Sequence, residues 1–270
     1  MKISRLFLGV LITLAFTFNL TAQQPSTGSA GFHSVACFKL KADSAAEFQK
    51  YETELLHKVA QGRIDDGELT ALYVLRSAIP QGESSECDYL VISIFPKLPH
   101  LFGPEQLQAA IKQAGLAITP EDYVNRRNAV AKLVSTAIFQ TAAYVGTPKK
   151  GDYFQVSYMQ VAPDNLSNWT DYEKKVWKPL AEAMVKDGKQ DGWSVNVQAM
   201  PFGTDTPYQG VTVDIYPSME AAFAEDSQFI DRFKRVHPDM EFGTTMEHFE
   251  HLRTQSLVHL YSLDDIVTAQ

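Results

Sequence analysis

The chain has 270 residues, 45% hydrophobic and 11% aromatic, with 24 basic against 32 acidic side chains and a net charge of −8. That length can bury one large core or two smaller ones. The acidic balance, with basic residues scattered and no basic stripe, gives no electrostatic reason to bind nucleic acid or an anionic membrane surface.

The first residues read as a targeting signal. Lys2 and Arg5 form a short positive region, residues 6–18 an apolar run, and Ala22 a small residue for cleavage. The run is shorter than the roughly 20 residues that span a bilayer, so the expectation is residues 1–22 removed, a secreted or periplasmic mature chain, and no stable membrane insertion after cleavage. Residues 23–31, rich in Gln, Pro, Ser, Thr and Gly, read as a disordered linker.

The predicted elements then follow in order. Residues 34–41 alternate as a strand. Asp43 or Ser44 caps a helix carrying Phe48, Tyr51, Leu55, Leu56 and Val59 on one face. Residues 69–75 and 89–95 are strands on either side of a polar turn, the second stopped by Pro96. Helices are expected over 104–114 and from Thr119–Pro120 to Lys132, then a strand over 136–145. After a linker the pattern returns: strand 154–161, helix 169–186 with Pro179 inside it, strands 193–199 and 211–216, helices 218–233 and 244–253, and strand 256–263.

The return is a repeat. Asp43, Phe48, Tyr51 and Glu52 stand at one constant offset from Asp164, Trp169, Tyr172 and Glu173, and residues 89–96 stand at the same offset from 210–217. Each unit, 32–146 and 152–264, is a split βαβ arrangement. Its sheet has one bare face, and the economical cover is the other unit. The predicted fold class is α+β: two tandem ferredoxin-like repeats packed sheet to sheet as a barrel, helices outside.

Two such units in one chain, with Trp169, Tyr172 and Glu173 on the first helix of the second, resemble the dimeric α+β barrel superfamily. This includes antibiotic-biosynthesis-monooxygenase-like, NIPSNAP-like, chlorite-dismutase-like and haem-degrading proteins. The tract 173–188 followed by Gly192–Trp193 is similar to exported members of that fold. The resemblance implies a small-molecule ligand in the barrel and, where chemistry occurs, oxygen-dependent or haem-linked oxidation. It selects no cofactor: His237, His248, His251 and His259 are all formal haem ligands and no motif picks one. It also leaves monomer and homodimer open, since one chain already holds both units.

Strand alternation nominates the site residues. Leu90, Ile92, Ile94 and Val211, Val213, Ile215 are the uniformly apolar faces of the third strands and are expected under the helices. That turns Asp214 and Tyr216 inward, and on the first strands the same alternation sends His33, Val35, Cys37 and Lys39, and Phe154, Val156, Tyr158 and Gln160, toward the interior. Asp214, a carboxylate in an apolar strand, is a candidate general base, with His259 as its proton-handling partner. Tyr158, Trp193 and Tyr216 are candidate ring walls for an apolar or aromatic ligand. Thr141 is read as the counterpart of His259. Cys37 and Cys87 are read as free thiols, because Cys37 should lie opposite the middle of its partner strand. The run 246–251 holds two His and two Glu, but without the spacing of a known zinc motif it reads as a solvated helix face. No phosphate-binding loop or nucleophile elbow is present. The rivals to a ligand-binding or catalytic barrel are a non-catalytic scavenger and a structural module whose barrel is packed dry.

Overall fold

The computed structural model describes residues 31–98, 103–203 and 205–269. The targeting signal and nearly all of the linker fall outside these residues. The strands are β1 (Phe32–Leu40), β2 (Ala71–Ile79), β3 (Tyr89–Phe95), β4 (Ala131–Gly146), β5 (Tyr153–Gln160), β6 (Gly192–Met200), β7 (Gly210–Tyr216) and β8 (Thr254–Thr268). They close into one antiparallel barrel in the order β1-β3-β2-β8-β5-β7-β6-β4. Each unit supplies four neighbouring strands, and the units join edge to edge through β2·β8 and β4·β6.

Closure depends on two long strands. The first part of β4 pairs with β1, from Ala131↔Leu40 to Gln140↔Phe32, and its last part pairs with β6 from Ile138↔Met200 to Gly146↔Gly192. β8 likewise serves β5 with residues 254–262 and β2 with residues 260–268. The predicted strands 136–145 and 256–263 are therefore too short. No turn residue or change of period marks the place where one partnership hands over to the next, and β4 begins directly after a helix that ends at Val130.

Helices cover the outside. α1 (Ala45–Tyr51) and α2 (His57–Asp65) run on through a π-helical turn, Glu52–Leu56. α3 (Pro104–Gln113) and α4 (Pro120–Val130) complete the first unit. Thr119 caps α4: its hydroxyl accepts from Asp122 N at 3.0 Å, while the Asp122 carboxylate accepts from Thr119 N at 3.3 Å. In the second unit α5 (Leu166–Lys186) runs unbroken through Pro179. The predicted helix 218–233 is instead α6 (Met219–Phe223) and α7 (Phe229–Val236), separated where Ala224 turns extended, and α8 (Phe242–Leu252) follows.

Two cores lie between helices and barrel. Beneath α1 to α4 sit Phe48, Leu55, Leu72, Val74, Tyr89 and Ile111. Beneath α5, α7 and α8 sit Trp169, Val176, Leu180, Trp193, Phe233 and Phe249. The repeat is visible in their packing. Phe48 packs on Tyr89 with ring centroids 4.4 Å apart. At the equivalent positions the larger Trp169 lies over Gly210, where an added Cβ would come within 2.5 Å of the indole.

The expectation of free thiols is overturned. Cys37 and Cys87 form a disulfide with Cα atoms 5.3 Å apart. Cys37 stands opposite Leu90, the second residue of β3 rather than its middle, and the incoming segment 85–87 folds back alongside it.

Candidate functional site

The barrel is not packed shut. It holds a cavity of about 1170 Å³ that runs its length. At one end the lining includes Gly31, Thr70 and Gly146; at the other, Glu86, Gln160 and His259. The middle is apolar: Val35, Leu75, Leu90, Ile92, Phe139, Phe154, Val156, Val211 and Val213.

These residues show which face of each strand points inward. His33, Val35 and Cys37 on β1, and Phe154, Val156, Tyr158 and Gln160 on β5, line the cavity as alternation predicts, whereas Lys39, beyond a register shift at Cys37/Phe38, does not: its ammonium is held by Asp88 and the Gly82 and Ser85 carbonyls. The third strands are reversed. Leu90, Ile92, Ile94, Val211, Val213 and Ile215 line the cavity, while Val91 lies in the core under the helices, as does Phe95, which also borders one end of the cavity. A period of two identifies two faces without saying which is which. Hydrophobicity alone sends the more apolar face to the helices, but the cavity wall is itself apolar, and the helices accept Ser93 and Thr212 as buried polar neighbours.

The five nominated residues therefore fall into two groups. Tyr158 and His259 line the cavity. Asp214 and Tyr216 do not. They lie on the outer wall beneath α5, and Trp193, paired with Asp214 across β6 and β7, packs into that outer core while also bordering one end of the cavity. Asp214 and His259 are thus on opposite sides of the barrel wall and share no proton. The register also replaces the counterpart assigned to His259. Val35↔Ala137 in the first unit matches Val156↔His259 in the second, so Ala137 and not Thr141 is its equivalent.

Around His259 the cavity is protic. His259 Nδ1 lies 3.1 Å from the Tyr261 hydroxyl, and Tyr158 meets the His259 ring edge to face at 5.6 Å between centroids. Tyr208 meets Tyr158 edge to face at 4.7 Å between centroids. Burial, with neighbouring hydroxyls and the Glu86 carboxylate, raises Tyr158 well above the ordinary phenol range, and Tyr208 and Tyr261 move the same way. Burial lowers His259. At neutral pH the cluster is an uncharged imidazole joined to protonated phenols, with one ring nitrogen able to take a proton. Nearer the opposite end, His33 stacks on Phe139 at 5.4 Å and bonds the Thr141 hydroxyl at 3.2 Å; burial pushes it down to about 4.

Strand alternation places His33 inward, but Glu86 and Tyr208 have no signal of their own in the sequence. Glu86 sits in a polar turn, and the disulfide of its neighbour Cys87, with the hydrogen bonds of Ser85, holds it at the rim. Tyr208 lies just before β7, outside any strand period.

Haem does not match this lining. Of the cavity histidines each has Nδ1 engaged, which leaves Nε2 for a metal. However, no Lys or Arg lines the cavity among the described residues, and the one carboxylate there is Glu86. Two propionates would meet no fixed cation. His248 and His251 are exposed on α8, and His237 Nε2 bonds the Val176 carbonyl at 2.9 Å. Among the described residues no group of three or more His, Cys, Asp or Glu is placed to hold a metal ion, and no helix is long and apolar enough to cross a membrane.

No family model and no curated protein matches the chain. Solved structures do. A Fusobacterium nucleatum protein described as a proposed monooxygenase superposes with a TM-score of 0.56 at 9% identity, covering 89% of this chain and 95% of the other. A Lactobacillus acidophilus protein of the same description gives 0.52 at 11% identity, covering 89% and 97%. At such identities the likeness establishes a shared fold, the α+β barrel with helices outside.

Proposed function

We propose that the barrel binds a neutral, largely apolar or aromatic small molecule, and that the His259–Tyr261–Tyr158 cluster handles a proton at its polar end. The observation that carries this reading is the cavity itself: large, apolar through its middle, without Lys or Arg among the described residues, and protic at one rim. The solved structures described as monooxygenases add a reaction class. In a cofactor-free oxidation the substrate supplies the electrons. Neutral His259 removes a proton from an acidic C–H or phenolic O–H, and Tyr158 and Tyr261 steady the anion with hydrogen bonds. The electron-rich carbon then reduces O2; one oxygen remains on that carbon as a carbonyl and the other leaves as water with two protons. Export to an oxidising compartment is part of the proposal, supported by the Cys37–Cys87 disulfide.

The first test is native mass spectrometry of the mature protein from its own compartment beside a denatured control. A small neutral mass that disappears on denaturation supports the reading; a bare protein that also takes up no aromatic probe overturns it. With a ligand in hand, His259→Gln and Tyr158→Phe should each lower turnover by about 10²-fold or more, the usual range for a general base, with binding changed far less. Unchanged turnover in both removes the cluster from the mechanism, and binding without turnover in the parent protein reduces the function to storage or scavenging.

A further inference from the structure

The residues that left the barrel interior form a second site. Trp177, Ala181 and Met184 of α5, Gln190, Trp193 of β6, Asp214 and Tyr216 of β7, and Phe229 of α7 enclose a pocket of about 160 Å³ on the outer face of the second unit. Trp177, Met184, Asp214, Tyr216 and Phe229 are partly exposed, so it is reachable from solvent without passing through the barrel.

Its chemistry is specific. Four aromatic rings border it, and Trp177 and Phe229 lie 6.3 Å apart between centroids. The Asp214 carboxylate accepts one hydrogen bond, from Gln190 Nε2 at 2.9 Å, and the same nitrogen reaches the Tyr216 hydroxyl at 3.3 Å. Gln190 is only 3% exposed, yet its Oε1 has no hydrogen-bond partner. No Lys or Arg lines the pocket, and Asp214 takes part in no ion pair among the described residues. A carboxylate and an orphaned amide oxygen are both acceptors, and ring faces attract cations. Burial pushes Asp214 up to about 6, as expected of a carboxylate that lacks a countercharge.

We propose that this pocket binds a small organic ammonium group, its charge against Asp214, its N–H on the Gln190 oxygen and its alkyl groups against Trp177, Trp193 and Phe229. The volume of about 160 Å³ corresponds to about five waters at roughly 30 Å³ each, which suits a methylated ammonium head. The barrel wall separates this site from the central cavity, so it stands whether or not the oxidation proposed above is correct.

The chain has three tryptophans, and the test uses all of them. Trp177 and Trp193 border the pocket, while Trp169 is fully buried with its Nε1–H donated to Glu173 at 2.9 Å and serves as the internal control. Titration of the full mature chain with trimethylammonium, followed by the indole N–H resonances, should move Trp177 and Trp193 saturably and leave Trp169 in place. Tert-butanol, of similar shape and no charge, should bind at least tenfold more weakly. Asp214→Asn keeps the acceptor for Gln190 and should weaken trimethylammonium at least tenfold; Trp177→Leu should weaken it several-fold. Thermal unfolding of both variants establishes that they are folded. Absence of a saturable shift in the parent protein, equal binding of tert-butanol, or undiminished binding by Asp214→Asn would each overturn the proposal.

Discussion

At the residue scale, the most consequential side chains are acids held where acids are costly. Glu173 is 1% exposed; its one hydrogen bond comes from the Trp169 indole, and its second oxygen has no partner. Burial pushes it up to about 8 despite Arg253 nearby. Its equivalent, Glu52, lies in the π-helical turn and is pushed up to about 7 by burial and by Asp265 and Asp264. In the unfolded chain both lose their protons near 4.5, so above that value the folded state holds protons that the unfolded state has released. Their stabilising contribution is complete below about 4.5 and is lost as pH rises through about 7 and 8. Glu173→Gln, which preserves an acceptor for Trp169, should leave stability unchanged near pH 4 and raise it at pH 8 by at least about 1.4 kcal/mol, the value of a single pH unit. Urea unfolding at the two pH values measures this; a variant less stable at both would assign Glu173 a purely structural role. Residues of this kind are only half legible in sequence. The offset that aligns Glu52 with Glu173 marks both as repeated features, but nothing in a composition distinguishes a buried glutamate from a solvated one. Asp214 shows the converse: its oddity in an apolar strand was readable, whereas the side of the wall it faces was not.

At the element scale, the two units reach the same packing with different volumes. Phe48 over Tyr89 in the first becomes Trp169 over Gly210 in the second. Gly210→Ala places a methyl group within 2.5 Å of the indole and 2.9 Å of the Asn196 carbonyl. The ring is fully buried and cannot swing away, so the change should cost about 1–3 kcal/mol. Adding Trp169→Phe should recover part of that loss, because the smaller ring vacates the contested space. A double-mutant cycle by chemical denaturation reads the coupling directly, and strictly additive losses would show that the carbonyl contact dominates. The elements themselves were largely readable from alternation, caps and turns: the first three strands of each unit, the Thr119 cap and the long helix through Pro179 lie close to their predicted places. What escaped was set by distant partners. β4 and β8 are long because each serves two neighbours, and the helix 218–233 is interrupted between Phe223 and Phe229, where Asp226 pairs with Arg232 of the following helix, which also holds Asp187.

At the scale of the whole molecule, the closed barrel has no free strand edge, which removes the usual route to edge-to-edge association. The disulfide closes a separation of 50 residues within the first unit, and the loop-entropy relation assigns such a closure about 4 kcal/mol. Replacing Cys37 and Cys87 together by Ser should lower the unfolding free energy by up to that amount in denaturant titrations, and should loosen the rim that carries Glu86. An unchanged midpoint would mean that the surrounding pairing already fixes segment 85–87. The pseudo-symmetry places a different device across the barrel from it. At the repeat offset Cys37 becomes Tyr158 and Cys87 becomes Tyr208, so a covalent bridge in one wall faces an edge-to-face ring contact in the other. Phe139 and Ala137 likewise stand opposite Tyr261 and His259. Two identical subunits could not differ in this way, because every substitution would appear twice. Fused into one chain, the halves have diverged at these positions, with a disulfide and hydrocarbon in one and hydroxyls and an imidazole in the other. A planar guest lying between them has its two faces in chemically distinct surroundings, so the cavity can tell one face from the other even though the scaffold around it is nearly twofold.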